Sequence, residues 1–126
     1  MTNKTFSVHL IVNDLEESIS FYTDILEFKL IQTRGTPIFF AQLDNGIIVL
    51  YLSSVGARGD SLLRKKKGIG AKFQIRILNV DKFYEQVKSS VPFKITQELS
   101  EFEFGWKLFS VTDFDGYEWM YYEIIS

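Results

Sequence analysis

From Phe6 to Val12 the chain alternates. Phe6, Val8, Leu10 and Val12 fall on one side and Ser7, His9 and Ile11 on the other, the period of two that a pleated strand imposes. The period then lengthens. Asp14 stands where an N-cap is wanted, and Glu17, three residues on, completes a capping box. Leu15, Ile19, Tyr22 and Leu26 follow at helical spacing, so one stripe of the helix packs back on the apolar strand face and leaves His9 on the opposite face. Residues 28–33 (FKLIQT) read as a strand, Arg34-Gly35-Thr36-Pro37 as a turn, and residues 38–43 (IFFAQL) as the next strand. Asp44-Asn45-Gly46 signals a hairpin, because Asn-Gly tolerates positive φ. Residues 47–52 (IIVLYL) are apolar throughout and are expected to be covered on both faces. The order is βαβββ.

Residues 54–70 interrupt the pattern with glycines and a basic run at 64–67, and read as a linker. The first half then returns. Phe73, Ile75 and Ile77 alternate with Lys72, Gln74 and Arg76; Asn79 takes the cap position; Val80, Phe83, Tyr84 and Val87 form the helical stripe. Residues 93–97 (FKITQ) echo 28–32 (FKLIQ) at an offset of 65, which also lays Phe73 on Val8, Gln74 on His9 and Asn79 on Asp14. Strands over 106–112 and 117–124 complete the second copy. Superposing the hairpin glycines, Gly46 and Gly116, raises the offset to 70, so five residues are expected to be inserted around 99–103. The chain is thus read as a single α+β domain of two βαβββ modules, about 5–53 and 71–125, joined by the linker.

Composition sharpens this picture by exclusion. A chain of 126 residues with 46% hydrophobic content, 12 Phe, 6 Tyr and 2 Trp can build a core and still line a cavity with aromatics. The formal charge of −2 gives no electrostatic reason to expect nucleic acid, whose binding depends on basic patches, and the absence of cysteine excludes disulfides, thiolate metal sites and Cys nucleophiles. With a polar start and no apolar run long enough for a signal or a span, a soluble cytoplasmic protein without membrane partners is the expectation.

Several motifs then fall together. His9-Leu10-Ile11-Val12-Asn13-Asp14-Leu15-Glu16 opens the first module, with Ser20-Phe21-Tyr22 and Leu26 behind it; Gly105-Trp106-Lys107 and Asp113-Phe114-Asp115-Gly116 close the second. In order and spacing, across essentially the whole chain, this resembles the vicinal oxygen chelate superfamily of glyoxalases, extradiol dioxygenases, fosfomycin-resistance enzymes and bleomycin-resistance proteins. The resemblance implies tandem βαβββ modules forming curved mixed sheets around a cleft, and commonly a homodimer. It also implies four metal-ligand positions, one on the first and one on the last strand of each module. Carried onto this chain they are His9, Gln74, Leu50 and Met120. Leucine donates nothing and methionine offers a thioether suited to soft metals, so no metal or other cofactor is expected.

Parity places Ser7, His9, Ile11, Ile48, Leu50 and Leu52 on the inward face of the first module. Lys72, Gln74, Arg76, Glu118, Met120 and Tyr122 line that of the second. An apolar wall facing a polar one describes a cleft for a small molecule, since unpaired charge would not sit in a core. The candidate ligand-binding residues are therefore Ser7, His9, Leu50, Lys72, Gln74, Arg76, Glu118, Met120 and Tyr122, with Trp106 (and Phe104 beside it) as stacking groups. His9 is open to four roles: metal ligand, general base, hydrogen-bonding group in a cavity, or satisfied structural imidazole. No catalytic residue is assigned. Read this way, the chain is a metal-free binding protein of the bleomycin-resistance type that sequesters an amphipathic or aromatic ligand. The rival readings are a divalent-metal-dependent lyase, isomerase or dioxygenase with a degenerate metal site, and a structural module whose cleft is filled by its own side chains.

Overall fold

The structure, a computed structural model, describes residues 6–54 and 70–126; the basic run at 64–67 and most of the linker expected over 54–70 lie outside them. Residues 1–66 and 67–126 form two compact units. Each is a four-stranded mixed sheet with a helix on one face, the α+β architecture expected from the alternation.

In the first unit β1 (Ser7–Val12) leads into α1 (Leu15–Ser20), which continues as a π-helical turn over Phe21–Ile25. β2 (Lys29–Arg34), β3 (Phe40–Asp44) and β4 (Val49–Ser54) follow, in spatial order β1-β4-β3-β2, with β1 parallel to β4 and the other pairs antiparallel. The Asp14 carboxylate accepts the Glu17 N–H at 3.0 Å and so satisfies one of the amides that the first helical turn leaves unpaired. The π turn resets the helical period, so the buried positions become Leu15, Ser18, Phe21, Tyr22 and Leu26. Beyond it Glu27 adopts φ 63°, and the Phe28 N–H donates back to the Tyr22 carbonyl at 2.9 Å. That reversal lays the Phe28 ring edge-on against Tyr22, 5.6 Å between centroids.

The second unit repeats the order with β5 (Lys72–Arg76), α2 (Val80–Ser90), a 3-10 turn (Pro92–Lys94), β6 (Ile95–Glu101), β7 (Trp106–Thr112) and β8 (Glu118–Ile124), arranged β5-β8-β7-β6. Val80, Tyr84 and Val87 are the buried stripe of α2. Tyr84 Oη donates to Glu98 at 2.9 Å, and burial followed by this bond to a carboxylate raises its pKa. Lys107 Nζ donates to Asp81 of α2 at 2.6 Å, and that hydrogen bond raises the lysine pKa.

Three expectations change. Asn79 does not cap α2: it sits at φ 56°, ψ 58° with no side-chain cap bond, and the Val80 N–H is taken at 3.0 Å by the Glu123 carboxylate reaching across from β8. Phe93 echoes Phe28 in sequence but not in place, since it lies in the Pro92–Lys94 turn and is 74% exposed against 3% for Phe28. The third change concerns β4. The Asn45 side chain accepts the N–H groups of Ile47 and Ile48, which keeps both residues in the turn and starts the strand at Val49. In the second module the Asp113 carboxylate gathers the N–H groups of Asp115 and Tyr117 in the same way, and the strand starts at Glu118.

The two turns differ in length. Asp44 pairs with Val49, four residues between them, whereas Thr112 pairs with Glu118, five between. Gly46 and Gly116 therefore do not correspond. Matching β4 to β8 through their parallel partners sets Val49 on Glu118 and Tyr51 on Met120, an offset of 69 rather than 70. Gln32 pairs Gln42 where Gln97 pairs Ser110, so three of the four added residues lie within the β6–β7 hairpin and one in the final turn.

Candidate functional site

That single residue decides what β4 shows to each side, because side chains alternate with a period of two and a slip of one reverses the faces. Leu50 and Leu52 pair in register with Val8 and Leu10, and all four are buried in the core, both leucines completely. Leu50 is therefore withdrawn from the open face on which the sequence reading placed it. Val49, Tyr51 and Ser53 occupy that face beside Ser7, His9 and Ile11.

The open face of the first module is built from two cross-strand rows. One runs His9, Tyr51, Gln42, Gln32 and the other Ile11, Ser53, Phe40, Arg34, each neighbour a register partner of the next. Diagonal contacts tie the rows together. His9 Nε2 and Ser53 Oγ are hydrogen-bonded at 2.6 Å, with the donor set by the imidazole tautomer. Phe40 and Tyr51 stack at 5.6 Å and 27°, and the His9 ring stands edge-on to both, at 6.3 and 6.4 Å. Gln32 Nε2 donates to Gln42 Oε1 at 2.7 Å. A cavity of about 410 Å³ opens over this surface, lined by Gln32, Arg34, Phe39, Phe40, Gln42, Tyr51 and Ser53. Its volume suits a small organic ligand.

The turn between β2 and β3 places the last wall. The Phe39 N–H donates to the Arg34 carbonyl at 2.9 Å, closing a loop that brings Arg34 and Phe39 to the same rim. Gly35, at φ 98°, lies beneath the Phe39 ring, and an added Cβ would enter that ring's van der Waals radius.

The second module carries most of the other sequence candidates, on its own open face. Lys72 and Glu118 form an ion pair at 3.5 Å, and Gln74 Nε2 donates to Met120 Sδ at 3.5 Å. Arg76 is the register partner of Tyr122, whose ring lies against Trp106 at 3.8 Å and 10°. Phe104 stands edge-on to Trp106 at 5.5 Å and stacks on Phe102, so the aromatics continue up the β6–β7 turn. Ser7 sits exposed at the edge of the first module's face.

None of these candidates lines the 410 Å³ cavity; His9 reaches it through Ser53. The lining residues of β2, β3 and the turn between them escaped the sequence reading because only first and last strands were carried over from the resemblance, and Tyr51 and Ser53 of β4 escaped it because the register put Leu50 and Leu52 on the open face. The signal was present in the alternation Phe40, Gln42 against the buried Ala41, Leu43, and in the polar Gln32-Thr33-Arg34 that ends β2.

The positions that the resemblance assigns to metal ligands hold His9 opposite Tyr51 within the first module and Gln74 opposite Met120 within the second. The donors are an imidazole already bonded to Ser53, a phenol, a carboxamide and a thioether, with no carboxylate among them. Among the described residues no three His, Cys, Asp or Glu side chains gather where an ion could be held. This set does not fit a hard divalent ion.

The model of the Glyoxalase/Bleomycin resistance protein/Dioxygenase superfamily matches residues 6–121, and the chain belongs to that superfamily. Among solved structures it is similar to TioX from Micromonospora sp. ML1, with 18% identity, a TM-score of 0.74, and 97% of this chain and 100% of that one covered. It is also similar to hypothetical protein SA1046 from S. aureus (17%, TM-score 0.76, 98% and 95% covered). A third is FosX, a genomically encoded fosfomycin resistance protein from Listeria monocytogenes (18%, 0.72, 98% and 92%). At these identities the likeness is one of fold. No curated protein matches the sequence. No helix among the described residues is long and apolar enough to cross a membrane.

Proposed function

We propose that this protein is a metal-free small-molecule binding member of its superfamily, of the bleomycin-resistance kind, which holds an aromatic or amphipathic ligand against a sheet face. One observation carries the reading. The 410 Å³ cavity is walled by three aromatic rings, two carboxamides, a hydroxyl and one guanidinium, with no acidic side chain among them. Such a lining supplies stacking surface and directed hydrogen bonds, but neither the anionic ligands a divalent ion needs nor a carboxylate for general acid–base work. His9 serves here as the group that fixes Ser53 and the edges of the Phe40 and Tyr51 rings.

The test is elemental analysis of protein purified without chelator, together with melting in EDTA. The expected result is substoichiometric Zn, Ni, Mn and Fe and an unchanged Tm. Replacing His9 by Ala is expected to weaken ligand binding by about 1 kcal/mol, the usual worth of one hydrogen bond, without abolishing it. One tightly held metal per chain, lost with an activity in the His9→Ala variant, would instead establish a metal-dependent lyase, isomerase or dioxygenase.

A further inference from the structure

We infer that the cavity of the first module is a site for a planar aromatic monocarboxylate, with the ring on the Phe40–Tyr51 surface and the carboxylate on Arg34. This assignment rests on the ligand-binding reading of the same cavity and names the class of ligand.

Charge is the first consideration. Arg34 is the one charged side chain in the lining. Its guanidinium takes part in neither of the ion pairs formed among the described residues, whereas Lys72 and Lys107 are matched to Glu118 and Asp81. A guanidinium is always protonated and presents a planar fork of N–H donors whose spacing matches the two oxygens of a carboxylate. A single cation neutralises a single negative charge. A phosphate monoester, close to dianionic at neutral pH, would leave charge uncompensated against three aromatic rings.

Shape is the second. Phe40 is the register partner of Arg34, so the ring and the guanidinium project side by side from adjacent strands. Tyr51 extends the surface of Phe40 by stacking at 5.6 Å, and a flat ligand ring laid on this pair continues an offset stack. The Phe39–Arg34 backbone bond and Gly35 beneath the Phe39 ring fix the turn from which Arg34 and Phe39 project, so the backbone of this rim is set while the exposed guanidinium stays free to meet an anion. The Gln32–Gln42 bond uses one amide donor and one acceptor, leaving a carboxamide oxygen and an NH₂ group at the far edge for a polar ring substituent.

The experiment is calorimetric titration of the full chain with 2-naphthoate, its neutral analogue 2-naphthamide, and 2-naphthyl phosphate. The expected order is naphthoate tightest, by about tenfold over the amide, the worth of a charge-assisted hydrogen bond. Arg34→Gln removes that preference by weakening naphthoate about tenfold more than naphthamide, with Tm unchanged, and Tyr51→Ala weakens naphthoate and naphthamide together. Equal affinities for acid and amide that both fall in Tyr51→Ala would overturn the carboxylate assignment and leave the ligand-binding reading standing. Tighter binding of the phosphate, or a preference for naphthoate that survives Arg34→Gln, would also overturn it. Binding of none of the three at millimolar concentration would do the same, with the metal analysis above deciding the broader reading separately.

Discussion

The two modules share a fold and differ in what they do with each face of it. On the helix-covered side they agree: Val8, Leu10, Leu50 and Leu52 in one correspond to Phe73, Ile75, Trp119 and Tyr121 in the other, apolar at every position. On the open side they agree nowhere. The first module presents His9, Tyr51 and Ser53, and the second Gln74, Met120 and Tyr122 at the matching places. The second pairs some of its polar groups internally, through Lys72–Glu118 and Gln74–Met120, and stacks Trp106 on Tyr122, with the exposed Arg76 outside both ion pairs of the described residues. The first leaves a cavity with a guanidinium at its rim. Packing holds one face to apolar residues of fitting volume, while the other face is free to diverge and carries whatever chemistry the chain has.

The largest expected effect tests which face is which. Leu50 is fully buried, so Leu50→Ala should lose about 2–5 kcal/mol in urea unfolding, the transfer and cavity terms together. Tyr51, half-buried and held mainly by its stack on Phe40, should lose only about 1 kcal/mol on truncation to Ala. The reverse ranking would restore the register in which Leu50 faces the open side.

The helix starts give the next effect. Asp14→Ala and Glu123→Ala should each cost about 1 kcal/mol, because each carboxylate satisfies an N–H at the start of a helix. Asn79→Gly should be neutral or slightly stabilising, since Asn79 contributes no cap bond and occupies a left-handed conformation that glycine adopts without strain. A loss of a full kcal/mol in Asn79→Gly would make Asn79 the cap after all.

These same residues show how far the sequence carries. Alternation and helical spacing placed every strand and both helices, and the repeat at offset 65 matched the first strands correctly, because burial writes its period directly into the chain. Two kinds of feature stayed hidden. The Glu123 cap comes from 43 residues away on a different strand, and no local pattern announces it. The face of β4 turned on one residue in a hairpin, where Asn45 and Asp113 gather N–H groups in turns of different length; glycine, the conspicuous marker in both, sits at different points of the two turns. The cavity was missed for a third reason. Most of its lining comes from β2, β3 and the turn between them, which the family's first-strand and last-strand positions do not include, and Tyr51 and Ser53 of β4 were hidden by the same one-residue register.

The smallest expected effect bears on the open faces themselves. Lys72 and Glu118 lie 3.5 Å apart with side chains 46% and 28% exposed, so water and salt screen the pair. Lys72→Met should change the unfolding free energy by no more than about 0.5 kcal/mol, and the change should shrink further near 1 M salt, where the Debye length falls to about 3 Å. The affinity for 2-naphthoate should stay where it is, because the Lys72 charge is already met by Glu118 on its own module. Arg34→Gln should be equally silent in stability, since the side chain is exposed, and loud in binding. The pair of variants thus separates a cation that is matched from one that is not. If Lys72→Met weakened naphthoate as much as Arg34→Gln, the anion would belong to the second module, and the contrast between the two faces would have to be drawn the other way round.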